Sequence, residues 1–161
     1  MNTAYLLLGG NIGNKSENLK QANNLIAERI GTIAKTSGIY ITAAWGNEDQ
    51  AEFYNQAIEI KTKRSSTELL KTILEIEESL GRNRSNDKWQ ERTIDIDILF
   101  FNDEIIDLKE LKIPHPFIQE RKFVLIPLNE IAKDHMHPVF IKTISRLLEE
   151  CKDKLEVKLK I

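Results

Sequence analysis

Lys88-Trp89-Gln90-Glu91-Arg92-Thr93-Ile94-Asp95-Ile96-Asp97-Ile98-Leu99-Phe100-Phe101 is the stretch on which the fold turns. It reads as a strand, with Ile94, Ile96 and Ile98 alternating against Asp95 and Asp97. Residues two apart on a strand share a face, so the two carboxylates stand side by side, about 7 Å apart along the backbone. Asp is depleted in strands, and two like charges this close repel unless a cation sits between them. Mg²⁺ takes oxygen ligands from one or two carboxylates, completed by substrate phosphates. Arg82, Arg84, Lys88 and Arg92 lead into the pair and suit polyphosphate oxygens. The combination points to a magnesium–nucleotide site; the competing reading is a solvated face of an edge strand. In favour of the site, the same face runs on into Leu99 and Phe101, which leaves the carboxylates at one end of an apolar face.

Working outward, Tyr5 to Leu8 is a short apolar run ending in Gly9-Gly10-Asn11-Ile12-Gly13, a strand followed by a tight turn. The glycine spacing matches neither the dinucleotide fingerprint nor the P-loop. Asn14 then caps a helix, with Glu17 in the capping-box position. Leu19, Ala22, Ile26 and Ile30 follow at helical spacing, and Gly31 is a stop signal. Ile33 to Ile41 reads as one strand and residues 42–52 as a polar loop holding Trp45. Tyr54, Gln56, Ile58 and Ile60 alternate with their neighbours as a third strand.

Ser65 and Glu68 form another capping box, opening a helix with Leu69, Ile73, Ile76 and Leu80 on one face and Gly81 at its end. A polar loop over 82–92 precedes the aspartate strand. Asn102-Asp103 marks a turn, and Pro114, Pro116, Pro127 and Pro138 punctuate a less regular region. A last helix carries Ile144, Leu147, Leu148 and Cys151, and Leu155, Val157, Leu159 and Ile161 alternate as a closing strand. The order strand–helix–strand–strand–helix–strand predicts an α+β, ferredoxin-like fold: an antiparallel sheet with helices packed on one face.

A chain of 161 residues suits one domain, taken as 1–161, with a sizeable core. A formal charge of −2 provides no excess of basic residues for tracking nucleic acid. One cysteine, Cys151, excludes an intrachain disulfide and reads as a buried thiol beside Leu147 and Leu148. With neither a leader pattern nor a membrane-length apolar run, the expectation is a cytoplasmic protein without membrane attachment.

Among isolated candidates, Glu77 sits at the edge of an apolar helix stripe, either as a surface ion pair or as a group at the mouth of a site. His115 is held between two prolines, with Arg121 six residues later. His135 and His137 have no further metal ligand nearby and read as a solvated loop. Trp45 and Trp89 lie in the two polar loops, placed to close over a flat substrate or to pin the loops down.

Taken together, Gly81-Arg82-Asn83-Arg84, Trp89, Arg92-Thr93-Ile94-Asp95-Ile96-Asp97-Ile98-Leu99, Pro114-His115 and Arg121-Lys122-Phe123 resemble the 6-hydroxymethyl-7,8-dihydropterin pyrophosphokinases of folate biosynthesis. Leu8-Gly9-Gly10-Asn11-Ile12-Gly13 and Phe53-Tyr54-Asn55 fit the same family, whose fold is ferredoxin-like. The resemblance implies that pyrophosphate passes from ATP to the pterin hydroxymethyl group, with release of AMP. It implies two Mg²⁺ ions on Asp95 and Asp97, and catalytic assistance from Arg82 and Arg92. It further implies that His115 and Arg121 contact the triphosphate, that Glu77, Arg84, Trp89, Ile98 and Lys112 lie in or near the nucleotide site, and that Thr42, Trp45, Phe53, Asn55 and Phe123 form the pterin pocket. ATP and the pterin are the expected partners of a monomer. The chain departs from the family's usual pattern at Ala43-Ala44, Gln90, Glu91 and Pro116. Two other readings of the same residues are a non-catalytic nucleotide-sensing module and a metal-dependent nuclease, the latter disfavoured by the lack of a broad basic surface.

Overall fold

Asn2–Gly10 forms a strand, β1, that is buried on both faces along most of its length, as a near-continuous apolar run demands. The computed structural model describes residues 1–43, 52–81 and 93–161. Helix α1 (Lys15–Arg29) follows, then β2 (Gly31–Thr36), β3 (Tyr40–Thr42), β4 (Phe53–Thr62), α2 (Ser66–Ser79) and β5 (Asp95–Phe101). Two short pairs, β6 (Ile106–Asp107) with β7 (Lys112–Ile113) and β8 (Met136–His137) with β9 (Lys142–Thr143), flank α3 (Lys122–Ala132). The chain closes with α4 (Ile144–Glu150) and β10 (Val157–Leu159).

In the main sheet β1 lies between β4 and β5, β2 and β3 share the far edge of β4, and β10 pairs with β3; all pairs are antiparallel. With β2 and β3 counted as one interrupted strand, this is the ferredoxin-like order expected from the sequence. The interruption corrects the single strand read over Ile33 to Ile41. Thr36 opposes Ile58 and Tyr40 opposes Asn55, so Ser37, Gly38 and Ile39 face only Gln56 and Ala57. Ser37 absorbs the mismatch: its N–H donates to Ala57 O and its hydroxyl accepts the Ala57 N–H, each at 2.9 Å.

The helix starts follow the capping signals. Asn14 Oδ1 accepts the Glu17 N–H at 3.1 Å. At α2 both halves of the box form, Ser65 Oγ with the Glu68 N–H and Glu68 Oε1 with the Ser65 N–H. Gly81 ends α2 with φ at +102°, whereas α1 stops at Arg29 and Gly31 instead opens β2.

Helices cover both faces of the sheet, not one as predicted. Alternation along β1 sends Leu6 and Leu8 to a core with Ile26 of α1 and Ile73 and Ile76 of α2. Tyr5 and Leu7 face a second core with Leu125 and Leu128 of α3 and Ile144 and Leu147 of α4. The region read as irregular thus contains α3, despite Pro127 in its interior. Proline forfeits one backbone bond there, and burial of Val124, Leu125, Leu128 and Ile131 at helical spacing outweighs that loss. Cys151 is half-buried at the end of α4, less enclosed than expected.

His135 and His137 are not solvated. The His135 ring packs 4.6 Å from Phe100 and 5.0 Å from Tyr5. His137 is buried, and its Nδ1 accepts the N–H groups of Val139 and Phe140, each at 3.2 Å. No described helix is long and apolar enough to cross a membrane.

Burial lowers the pKa of His115, His135 and His137; Arg121 adds to the effect at His115, His135 adds to it at His137, and Asp103 and Glu59 oppose it at His135. A histidine whose folded pKa is depressed stabilises the fold above its unfolded pKa, about 6.5, and that contribution is lost as pH falls through the lower folded value. The urea midpoint is therefore expected to fall between pH 7.5 and 5. His135→Phe, which keeps the aromatic packing, flattens the slope; a midpoint independent of pH over this interval contradicts the assignment.

Candidate active site

Three strands meet at one end of the sheet with their side chains in register. Gly9 of β1 lies between Asn55 of β4 and Asp95 of β5, and Leu7 lies between Ala57 and Asp97. Period-two geometry puts all six on one face. All but the buried Ala57 floor a cleft of about 570 Å³ that also reaches Thr42 and Phe53. Glu120, Arg121 and Phe123, around the start of α3, contribute to its wall together with Asp153 and Leu155. Asp153 ties these segments together, one carboxylate oxygen accepting the Lys122 N–H at 3.0 Å and the other the Leu155 N–H at 2.9 Å.

Gly9 and Gly10 belong to β1, not to a turn, and close approach explains both. A Cβ on Gly9 would stand 2.2 Å from Asn55 Oδ1, and one on Gly10 2.5 Å from Thr93 O. The first glycine admits the buried Asn55 amide beside the cleft floor; the second lets the residues before Asp95 lie against β1.

The aspartate face differs in one respect from the alternation read in the sequence. Tyr5 opposes Phe100 while Leu6 opposes Ile98, so Leu99 is the extra residue of a bulge. Leu99 and Phe100 consequently both enter the core beneath α3, and Phe101 turns to the opposite core. Asp95 and Asp97 remain together at the cleft. Their neighbours there offer no imidazole or thiolate among the described residues, and no described group of three or more His, Cys, Asp or Glu residues is arranged to hold a metal. A pair of carboxylates at the cleft fits Mg²⁺, which takes oxygen ligands and keeps water and substrate phosphates in its shell.

Of the residues proposed from sequence, Thr42, Phe53, Asn55, Asp95, Asp97, Arg121 and Phe123 line this cleft. The Arg121 guanidinium rests over the rings of Phe117 and Phe123, at 4.7 and 5.7 Å, an arrangement that orients it as well as attracting it. His115 lies outside the lining; its N–H donates to Leu99 O at 3.0 Å, and its Nδ1 accepts the Phe117 N–H at 3.2 Å. Ile98 sits in the opposite core, and Lys112 pairs with Asp107 away from the cleft lining. Glu77 is 4% exposed behind β5, where its Oε2 accepts the Ile96 N–H at 2.9 Å. Arg82, Arg84, Trp89, Arg92 and Trp45 fall outside the described residues. Glu120, Asp153 and Leu155 were missed, and no local pattern marks them: they reach the cleft only through the packing of α3 and the segment after α4.

The 7,8-dihydro-6-hydroxymethylpterin-pyrophosphokinase family matches residues 5–133. The 2-amino-4-hydroxy-6-hydroxymethyldihydropteridine pyrophosphokinase of Bacillus subtilis is 47% identical over 133 residues, covering 82% of this chain and 79% of that one. The enzyme of the same name from Aquifex aeolicus is 39% identical over 150 residues, covering 93% and 92%. A crystal structure of a Plasmodium falciparum HPPK-DHPS triple mutant superposes with a TM-score of 0.77 at 22% identity over 92% of this chain, a likeness of fold. The chain spans 43% of that longer protein.

The close approach at Gly9 yields a test. Gly9→Ala must displace the Asn55 side chain, and a destabilisation of about 1–3 kcal/mol is expected from overpacking. In an Asn55→Ala background the same change should cost much less, as measured by urea unfolding in a double-mutant cycle. Equal costs in both backgrounds refute the contact as the reason for the glycine.

Proposed function

The chain belongs to the 7,8-dihydro-6-hydroxymethylpterin-pyrophosphokinase family, and from that premise we propose that the β1–β4–β5 cleft is its active site. The protein is a pyrophosphokinase of folate biosynthesis: it transfers pyrophosphate from ATP to 6-hydroxymethyl-7,8-dihydropterin, giving AMP and the pterin diphosphate. The observation that carries the assignment of the site is the shared floor, on which a buried amide and two carboxylates face one cleft across β1.

On this reading Thr42, Phe53, Asn55 and Phe123 hold the pterin. Phenyl rings stack on a flat heterocycle, and the Asn55 amide offers both a donor and acceptors to the ring edge. Arg121, held against two phenyl rings, takes triphosphate oxygens with its planar fork. Asp95 and Asp97 hold Mg²⁺, two ions in the full proposal, and the metal when bound polarises phosphoryl oxygens and favours ionisation of the attacking hydroxyl. Arg82 and Arg92 assist at the phosphates, with Arg84, Trp89 and Trp45 completing the substrate sites. His115, linked by its backbone to Leu99, reaches the triphosphate from beside β5. The chain's residues thus align the hydroxymethyl oxygen with the β-phosphorus and offset the charge developing there. No protein nucleophile is required, and Cys151 lies outside the cleft lining. The same reading takes residues 1–161 as one catalytic domain, monomeric and cytoplasmic, with small-molecule substrates alone.

Incubation with ATP, Mg²⁺ and the pterin should release AMP only when the pterin is present. ADP as the nucleotide product, or tight ATP binding without turnover, would move the assignment to another phosphoryl transfer or to a nucleotide sensor. Asp97→Ala should retain the fold, checked by circular dichroism, and lose about 100-fold or more in turnover at any Mg²⁺ concentration. Near-normal turnover in that variant removes Asp97 from the metal site.

A further inference from the structure

We propose that Glu77 is a positioning residue for the aspartate pair: from α2 it grips the backbone of Ile96, the residue between Asp95 and Asp97, and so sets how the two carboxylates are presented to a divalent cation. The proposal rests on the reading of Asp95 and Asp97 as the cation-holding pair.

β5 ends the six-stranded sheet, with β1 as its strand partner. Along such an edge, alternate N–H groups point away from the sheet and need a partner from elsewhere. Midway between the aspartates that partner is Glu77 Oε2, which accepts the Ile96 N–H at 2.9 Å in a buried setting. A hydrogen bond to a carboxylate is roughly twice as strong as a neutral one. By the same alternation the inner edge is held at Asp95 and Asp97, which lie in register with Gly9 and Leu7 of β1. The segment 95–97 is therefore held from both edges, by Glu77 at Ile96 and by β1 at the two aspartates, which leaves the carboxylates little freedom to pivot.

The placement of Glu77 argues that this clamp is more than incidental. It is 4% exposed and lies in the last turns of α2, between Ile76 and the partly buried Leu80. A carboxylate at that position works against both the helix dipole and the cost of burying charge. The stripe of Leu69, Ile73 and Ile76 would be continued more favourably by an apolar residue. An apolar residue, however, would leave the Ile96 N–H without its acceptor, next to the groups that must hold the cation. Groups that orient metal ligands are typically worth 10–100-fold in metal affinity.

The test compares Glu77→Leu and Glu77→Gln with the wild-type protein. It reads Mn²⁺ affinity by electron paramagnetic resonance, with a non-hydrolysable ATP analogue present, and amide hydrogen exchange at Ile96. Glu77→Leu should weaken Mn²⁺ binding about tenfold, while Glu77→Gln, which keeps an oxygen acceptor, should stay within about threefold of wild type. Exchange at Ile96 should accelerate in the Leu variant and remain slow in the Gln variant. Unchanged Mn²⁺ affinity in Glu77→Leu overturns the proposal. So does a loss in Glu77→Gln as large as in Glu77→Leu, since charge rather than the clamp would then be acting. If Glu77→Leu does not fold, fast exchange at Ile96 in the wild-type protein or in Glu77→Gln is the overturning result. Asp97→Ala with wild-type Mn²⁺ affinity would refute the cation pair itself. Loss in Asp97→Ala alongside no loss in Glu77→Leu refutes the positioning role alone.

Discussion

The two-sided hydrogen bonding of β1, to β4 on one edge and β5 on the other, sets the dimensions of the cleft floor. Adjacent strands lie about 4.8 Å apart, so Asn55 and Asp95, both in register with Gly9, stand about 10 Å apart across it. The register is defended by charge as well as by packing. Side chains alternate faces with period two, so a one-residue slip of β5 would turn Asp95 and Asp97 into the core beneath α1 and α2. It would also bring Ile96 and Ile98 out into the cleft. Burying two carboxylates among Leu8, Ile26 and Ile73 is far costlier than any plausible compensation. The residues proposed to hold the metal therefore also specify which way the strand faces.

Site and core share one surface of the sheet. Moving down from Gly9, Asn55 and Asp95, the next row is Leu7, Ala57 and Asp97, and the next is Tyr5, Glu59 and Phe100. The last row is roofed by α3 and by His135, and Tyr5 donates to Glu59 there at 2.6 Å. A floor that is continuous with a packed interior resists deformation, which suits a reaction whose catalysis is alignment. The bulge at Leu99 ends the cleft side of the face by sending two consecutive side chains, Leu99 and Phe100, into the core.

What was legible in the sequence was what is decided locally. The capping box at Ser65 and Glu68, the stripe on α2, and the aspartates two apart on a strand each depend on a few neighbouring residues, and each was read correctly. Features decided by distant partners were not legible. The break at Ser37 is a Ser-Gly signal that the surrounding β-branched residues obscured, and only the register with β4 exposes it. α3 was hidden because Pro127 is a helix breaker on average, and its tolerance depends on a core assembled from β1, β5 and α4. His135 and His137 read as a solvated loop because no further metal ligand lies near them in sequence; Phe100, far off in the chain, packs against both rings. In the site, Thr42, Phe53, Asn55 and Phe123, which the resemblance gives to the pterin pocket, line the cleft, while Ile98 and Lys112, which it gives to the nucleotide site, lie outside that lining.

The charge of the cleft bears on how a polyphosphate could enter. Its described lining carries four carboxylates, on Asp95, Asp97, Glu120 and Asp153, and one guanidinium, on Arg121. A triphosphate brought against that lining alone meets like charge, and at contact distances in a partly desolvated cleft such repulsion amounts to several kcal/mol. Cations must therefore arrive with the nucleotide or be supplied by the chain. Both sources are foreseen in and just before the stretch that decides the fold: paired carboxylates that fit Mg²⁺, preceded by Arg82, Arg84, Lys88 and Arg92. Nucleotide binding on the proposed reading is then strengthened by the metal, since the carboxylates that repel bare ATP are the groups that take its magnesium complex.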